Sequence, residues 1–198
     1  MFHILTVCTA NICRSAMAAA QLETLVAAAG LMDSVSVSSR GVRAEDGYPA
    51  CPLGFGYVGL HIPEHRSARL DEASIAGAQL ILTAESAHRA AVVTMHPKAR
   101  SRVFTMTEAA ALTTWYLDAS AAGVSLPSPA DDGGVDERLV WWVRELNDSR
   151  GAAPIAQLDI GDPHMVVRGP DTHEVTAQEI ATAMGTIVAG FTFALSRS

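Results

Sequence analysis

Short apolar stretches recur along the first half of the chain and predict its β-strands. Residues 2–7 and 78–83 are continuous apolar runs, and valines alternate with serines within 33–39. Runs of this length and composition are typical of strands, and a continuous run is typical of a strand buried in a parallel sheet. A fourth short strand is predicted around 102–104, after a helix that stops before Pro97.

Segments with helical periodicity separate these strands. Residues 16–29 repeat their apolar positions at helical spacing, with Gly30 as the expected C-terminal cap. Further helices are predicted over 107–119 and 136–150, and a last one is predicted to open at the capping box 176–179. Alternation of strand and helix predicts parallel strands joined by right-handed crossovers. We therefore expect an α/β fold, a doubly wound four-stranded parallel sheet of the flavodoxin-like kind with flanking helices.

Chain length limits the number of domains, and composition indicates where a long loop lies. The 198 residues suffice for one well-filled α/β domain, and we expect a single domain over 1–198. Residues 41–59 are rich in glycine and proline without helix or strand periodicity, which predicts a surface loop.

Trp141 and Trp142 would form either an exposed docking patch or part of a helix packed on the sheet. Leucines at helical spacing beside them favour packing.

The loop between the first strand and the first helix carries a nucleophile and a phosphate-binding group. Cys8 opens this loop and Arg14 follows six positions later. At a helix N-terminus, unpaired backbone N–H groups and the helix dipole attract an anion, and the same field favours a thiolate over a thiol. The planar guanidinium of Arg14 can bind two phosphate oxygens at once. These residues therefore predict a phosphate site with Cys8 as its nucleophile.

The complete stretch around this loop resembles a known family motif. It reads Val7-Cys8-Thr9-Ala10-Asn11-Ile12-Cys13-Arg14-Ser15, and the low molecular weight protein tyrosine phosphatases carry a motif close to Val-Cys-x-Gly-Asn-Ile-Cys-Arg-Ser-Pro. The resemblance implies a phosphate-binding loop made of Thr9, Ala10, Asn11, Ile12, Cys13, Arg14 and Ser15. Ala10 and Ala16 replace the family's glycine and proline, but neither change removes a reacting group. The left-handed backbone position in such a loop suits Asn11.

A second resemblance concerns the general acid. Residues 158–164, Leu-Asp-Ile-Gly-Asp-Pro-His, resemble the family's acid loop. The match implies that Asp162 is the catalytic acid that protonates the leaving oxygen. Asp159 and Asp171 flank the same loop and would take this role if the register of the match is shifted.

Other matched positions imply support for the phosphate loop. By its match to the family's Ser-Ala-Gly-Thr, Ser39 would brace the loop through Asn11. A later match to the family's glycine, histidine and Ala-Arg positions implies an internal brace from His65, with His61 as the alternative. Ser15 would hydrogen-bond the departing thiolate.

The resemblance also implies which segments shape the substrate pocket. Residues 45–48 fall where the family places its variable pocket wall, and Tyr48 or Tyr57 would stack on a phosphotyrosine ring. Cys51, in the same loop, has no base or arginine of its own and is expected to be an idle thiol. The resemblance fades between residues 105 and 158, which indicates an enlarged helical connection.

Charge and cysteine content narrow the range of partners. A net charge of −7 argues against a nucleic-acid partner, because nucleic-acid binding needs a basic surface. Three cysteines without paired Cys/His spacing predict neither a disulfide framework nor a metal site. We therefore expect no metal and no cofactor, and we expect the protein to lie in the reducing cytoplasm. No signal peptide pattern is present, and residues 180–195 are too short and interrupted for a membrane span. A buried helix and no membrane partner are expected.

These features predict a phosphatase that acts through a cysteinyl-phosphate intermediate. Its substrate would be a phosphorylated protein or small phosphoester, with phosphotyrosine or phosphoarginine as the reacting group. Cys13 would trap an oxidised Cys8 as a disulfide, so we expect redox sensitivity. The alternatives are an arsenate reductase of the same fold, which needs a relay of further cysteines, and a non-catalytic phosphate-binding regulatory module, which would not need Asp162. The oligomeric state is not predicted.

Overall fold

The computed structural model describes residues 1–57, 64–129, 133–155, 157–164 and 171–197. These residues contain a four-stranded parallel sheet with the strand order β2-β1-β3-β4. Its strands are β1 Phe2–Cys8, β2 Val35–Gly41, β3 Leu80–Thr83 and β4 Val103–Thr105. The predicted doubly wound, flavodoxin-like sheet is confirmed, and the strand bounds differ from the predicted ones by only one or two residues.

Seven helices and one 3₁₀ helix flank the sheet in the part of the chain that the structure describes. They are α1 Arg14–Ala28, α2 Pro52–Tyr57, α3 Glu72–Gly77, α4 Ser86–Met95, the 3₁₀ helix Pro97–Arg102, α5 Met106–Ala121, α6 Val135–Asp148 and α7 Asp171–Ser196. Helices α1, α5, α6 and α7 share a core with Phe2 and Ile4, whereas α3 and α4 share one with Leu5 and Val7. Alternate side chains of β1 therefore enter the cores on the two faces of the sheet.

The strand order places the end of β1 at the centre of one sheet edge. β1 pairs with β2 on one side and with β3 on the other, so that Cys8 lies opposite Gly41 and Val7 lies opposite Thr83. This point, where successive crossovers diverge, is the topological switch point of a doubly wound sheet. Cys8 therefore lies where such sheets bind their ligands.

The aromatic residues of α6 fill the core beside α5 and α7. Trp142 is fully buried and its ring meets that of Tyr116 edge-on, with centroids 4.9 Å apart. A Cβ atom at Gly190 would lie 2.8 Å from the Trp142 ring, so this glycine is what lets α7 approach so closely. Trp141 is half-buried and packs at the edge of the same core. The prediction that these tryptophans pack on the sheet is confirmed.

Two sequence predictions were wrong in detail. Residues 41–59 were predicted to be a loop, but α2 lies within them. The glycines of α2 favoured a loop when the sequence was read alone. In the structure, a side chain at position 54 would collide with Met17, so glycine there permits close packing of α2 on α1. The last helix begins at Asp171 instead of the capping box at 176–179. Thr176 is buried inside that helix, and its hydroxyl group lies 3.5 Å from the Gly161 carbonyl oxygen.

Helix α7 is long and apolar enough to cross a membrane, a test that buried core helices also pass. One stripe of its side chains, Ile180, Met184, Ile187 and Phe191, is buried in the main core. The ring of Phe191 meets that of Phe2 edge-on, with centroids 6.0 Å apart. Helix α7 extends well beyond residues 180–195, so the prediction of a stretch too short to span a membrane was wrong about its length. The predicted buried helix agrees with the packing of this stripe.

Candidate active site

The loop from β1 to α1 has the backbone shape that its sequence predicts. Asn11 has a φ of 57° and is the one non-glycine residue with a positive φ among those described. Gly41 on β2 lets this loop lie close to the sheet, because a Cβ atom there would be 2.7 Å from the Thr9 carbonyl oxygen and 2.8 Å from the Asn11 nitrogen. Thr9, Ala10 and Ile12 are half-buried along the loop.

The thiol of Cys8 is buried inside this loop and surrounded by polar donors. Its sulfur lies 3.0 Å from the Ser15 hydroxyl oxygen and accepts a hydrogen bond from the Asn11 backbone N–H at 3.3 Å. Only 3% of Cys8 is exposed. Hydrogen-bond donors at a helix N-terminus stabilise a thiolate, so the surroundings suit an attacking sulfur.

The Asn11 side chain joins the loop to its predicted supports. Its amide nitrogen donates to the Ser15 hydroxyl at 3.0 Å and to the Ser39 hydroxyl at 2.8 Å. Its amide oxygen accepts from the Ala68 backbone N–H at 2.9 Å. The His65 Nε2 atom lies 2.7 Å from the Asn11 carbonyl oxygen. The structure thus brings all four support residues together, while the alternative His61 lies outside the described residues.

Arg14 is buried and held by groups from three separate segments. Its Nη2 donates to Asp162 Oδ2 at 2.7 Å, and its Nη1 donates to the Ile160 carbonyl at 2.9 Å. The guanidinium also forms an ion pair with Glu85 and lies 3.4 Å from the Thr9 hydroxyl. Sequence reasoning missed Glu85. Its position just after β3, at the same sheet edge as Cys8, was the signal that could have found it.

Of the two candidate acids whose side chains the structure describes, Asp162 contacts Arg14 of the phosphate loop and Asp159 does not. The other oxygen of Asp162, Oδ1, accepts a hydrogen bond from the His164 backbone N–H at 3.0 Å. Asp159 instead accepts from the Ser86 backbone N–H at 2.6 Å and from its hydroxyl at 3.1 Å, at the start of α4. The side chain of Asp171 lies outside the description.

A buried histidine that the sequence did not single out contacts Thr9 of the phosphate loop. His88 is 3% exposed, and its Nε2 lies 2.9 Å from the Thr9 hydroxyl oxygen. Burial lowers the pKa of His88, with Glu85 opposing that shift and Arg14 adding to it. The imidazole is therefore neutral near pH 7 and helps to fix the Thr9 side chain.

Cys51 lies beside Cys13, a contact that its sequence neighbours do not suggest. Its backbone N–H donates to the Ile12 carbonyl at 2.8 Å, which brings its sulfur beside Cys13. The hydrogen bond from Cys13, together with the backbone N–H groups of Leu53 and Gly54, lowers the pKa of Cys51 to about 4. The same pairing raises the pKa of the Cys13 thiol.

Tyr48 occupies an exposed position on the loop that carries Cys51. Half of its surface is exposed, and its hydroxyl donates to Glu45 at 3.2 Å. Its backbone N–H donates to the Ser67 hydroxyl at 2.9 Å, which ties this loop to the segment that supports Asn11. The side chain of Tyr57, the alternative for the pocket wall, lies outside the description.

Comparison with known sequences agrees with this geometry. A family model described as low molecular weight phosphotyrosine protein phosphatase matches residues 3–133. A probable low molecular weight protein-tyrosine-phosphatase, EpsP of Ralstonia nicotianae, is 37% identical over 108 residues, which cover 53% of this chain and 70% of that protein. A protein-arginine-phosphatase of Geobacillus stearothermophilus is 35% identical over 108 residues, covering 53% and 69%. The family match ends before Asp162, so the assignment of Asp162 to the site rests on its contact with Arg14.

Solved structures show the same fold. The YwlE arginine phosphatase from Geobacillus stearothermophilus superposes with a TM-score of 0.63 at 24% identity, covering 98% of this chain and 94% of that chain. A low molecular weight protein tyrosine phosphatase from T. tengcongensis gives a TM-score of 0.64 at 22% identity, covering 96% and 99%.

Proposed function

The chain belongs to the low molecular weight phosphotyrosine protein phosphatase family and is a cysteine-dependent phosphatase, and we propose that it hydrolyses phosphotyrosine in proteins. One observation carries the proposal: the Cys8 sulfur lies in a loop at a helix N-terminus, with Arg14 of the same loop bonded to Asp162. Nucleophile, anion site and acid therefore occupy one site. No metal or organic cofactor enters the reaction that we propose.

In the first step the Cys8 thiolate attacks phosphorus in line with the leaving oxygen. The loop N–H groups and the Arg14 guanidinium hold the equatorial phosphate oxygens. Asp162 gives its proton to the leaving phenolate oxygen as the P–O bond breaks. The products of this step are a cysteinyl-phosphate on Cys8 and a free tyrosine side chain.

In the second step water replaces sulfur on phosphorus. Asp162, now a carboxylate, takes a proton from the attacking water, and the S–P bond breaks to release phosphate. The Ser15 hydroxyl group, 3.0 Å from the Cys8 sulfur, donates a hydrogen bond to the departing thiolate. The cycle ends with the nucleophile ready for a new substrate.

The position of the Tyr48 side chain supports the proposal of an aromatic substrate. Its ring is exposed on a loop that the Ser67 and Ile12 contacts hold beside the phosphate loop. An aromatic pair in such a position contributes about 0.5–1.5 kcal/mol beyond its buried area. The ring would therefore favour phosphotyrosine over phosphoarginine, although relatives of both names resemble this chain.

We also propose reversible inactivation by peroxide, in a reducing compartment such as the cytoplasm. All three cysteines are free thiols, which suits such a compartment. Peroxide would convert the Cys8 thiolate to a sulfenic acid, and Cys13 would displace water from it to form a disulfide. Trypsin leaves Cys8 and Cys13 in one peptide and Cys51 in another. Mass mapping should find an internal Cys8–Cys13 bond, and a cross-link to the Cys51 peptide would contradict the proposal.

The substrate assignment is tested by measuring rates side by side. We expect the highest kcat/KM on a phosphotyrosine peptide, a lower value on a phosphoarginine peptide and no reduction of arsenate. Tyr48→Leu should lower kcat/KM on the phosphotyrosine peptide by roughly 2- to 10-fold and leave the phosphoarginine rate unchanged. Faster hydrolysis of phosphoarginine, or thiol-dependent arsenate reduction, would overturn the assignment.

A further inference from the structure

Four potential metal ligands meet beside the phosphate loop. The ligand atoms of Cys13, Cys51, His164 and His173 all lie within 4.8 Å of one another. They come from four segments: the end of the phosphate loop, the residue before α2, the acid loop and the first turn of α7. The hydrolysis described above assigns no chemical step to any of the four.

The two histidines already have the spacing of a tetrahedral site. Their Nε2 atoms are 3.4 Å apart, and their rings are nearly perpendicular with centroids 4.7 Å apart. Zinc–nitrogen bonds of about 2.0–2.1 Å at a tetrahedral angle place two imidazole nitrogens about 3.3–3.4 Å apart. The observed separation of the two Nε2 atoms therefore matches that of two imidazoles bound to one zinc ion.

The donor set selects the metal. Two thiolates and two imidazoles are a zinc ligand set, whereas magnesium and calcium prefer oxygen ligands. Cys13, Cys51 and His173 are each less than a tenth exposed, so three ligands are shielded from water. His164 is exposed, which gives an ion a path into the cluster.

We propose that Cys13, Cys51, His164 and His173 bind one Zn²⁺ ion in a tetrahedral site. On binding, the two cysteines coordinate as thiolates and any thiol protons pass to solvent. The ion would tie the acid loop to the phosphate loop, because Asp162 lies two residues before His164 and accepts its backbone N–H. It would also hold the Cys13 sulfur, so the Cys8–Cys13 disulfide proposed above would form in the metal-free chain and be suppressed when the ion is bound.

Metal titration of the reduced, metal-free chain tests this site directly. Competition with a chromophoric chelator should show one Zn²⁺ bound per chain. Cobalt(II) should give the intense visible bands of tetrahedral coordination and a thiolate-to-cobalt charge-transfer band. Cys8→Ser should bind equally well, which separates the metal site from catalysis and keeps its result independent of the proposed function.

Histidine variants provide the matched comparison. His164→Gln removes an exposed ligand without opening a cavity, and His173→Gln removes a buried one. Each should weaken zinc binding at least about 100-fold. Loss of a residue that only hydrogen-bonds to a metal ligand already lowers metal affinity about 10- to 100-fold, and loss of a ligand itself should cost more. The control His96→Gln, whose histidine pairs with Glu72, should bind like the wild type.

Three results would overturn the proposal. One is the absence of a tetrahedral cobalt spectrum in the reduced wild-type protein. Another is unchanged zinc affinity in both His164→Gln and His173→Gln. The third is loss of the ion in Cys8→Ser, which would place it on the nucleophile.

Discussion

Arg14 Nη2 donates a hydrogen bond to Asp162 Oδ2 at 2.7 Å, although 148 positions separate the two residues along the chain. Arg14 belongs to the phosphate loop, and Asp162 lies on the loop that leads toward α7. The bond therefore places a carboxyl group at the edge of the phosphate site, where a leaving oxygen would emerge. Glu85 forms an ion pair with the other terminal nitrogen, Nη1, of the same guanidinium, so two carboxylates contact Arg14 from separate segments.

Replacement of Asp162 by asparagine should expose its role through the leaving group. On phenyl phosphate, whose leaving oxygen needs a proton, Asp162→Asn should lower kcat by about 10²–10⁴-fold. On p-nitrophenyl phosphate, whose leaving group is stable as an anion, the loss should be much smaller. Steady-state rates on the two esters check this difference. The control Asp159→Asn, which alters the contact to Ser86, should show no such dependence. An Asp162→Asn enzyme with equal losses on both esters would contradict the assignment.

Glu85→Gln should affect both esters equally. Glu85 positions Arg14, and a charge-assisted hydrogen bond contributes about 1.5–3 kcal/mol. Because the Glu85 side chain is 26% exposed, we expect the low end of that range, a loss of about tenfold in kcat/KM. Glu72→Gln, at an exposed glutamate, is the control and should be neutral. A loss in Glu85→Gln confined to phenyl phosphate would instead identify Glu85 as the acid.

His88 should make the folded state sensitive to mild acid. Burial lowers its pKa below the ordinary value of 6.5, so the unfolded chain takes up a proton at this residue before the folded chain does. Above pH 6.5, His88 therefore does not affect the free energy of unfolding. As the pH falls from 6.5 toward the lowered pKa of the folded state, the free energy of unfolding decreases. In His88→Gln, which can keep a bond to Thr9, this part of the fall should disappear. Urea unfolding at about pH 7.5 and about pH 5.5 measures the difference. Equal pH dependence in both proteins would contradict it.

The sequence predicted the parts of this site that are contiguous. Residues 7–15 include the end of a strand, an anion-binding loop and the start of a helix, so their local pattern sufficed to predict Cys8, Arg14 and the left-handed Asn11. Glu85 and His88 lie near in space but follow a different strand. Neither has a local pattern that sets it apart from an ordinary helix start, so only the sheet order brings them to Arg14 and Thr9.

The cysteine and histidine cluster was beyond sequence analysis for the same reason. Metal motifs are recognised by short spacings between ligands, whereas Cys13, Cys51, His164 and His173 lie on four separate segments. Short spacings therefore give no information about ligands that the fold assembles from distant segments. Helix α2 was missed as well, because its packing against Met17 favours glycine at position 54, a residue that indicates a loop when read locally.

Transfer of phosphate to Cys8 is the central step of the reaction, and trapping the intermediate tests it most directly. In Asp162→Asn the water-activating carboxylate is missing, so the cysteinyl-phosphate formed from p-nitrophenyl phosphate should accumulate. Denaturing the turning-over enzyme at alkaline pH and digesting it with trypsin gives a peptide that ends at Arg14 and contains both Cys8 and Cys13. Fragment ions should place the phosphate on Cys8, with Cys13→Ser retaining it and Cys8→Ser losing it. Phosphate on Cys13, on Cys51 or on a histidine, or none during turnover, would contradict the account.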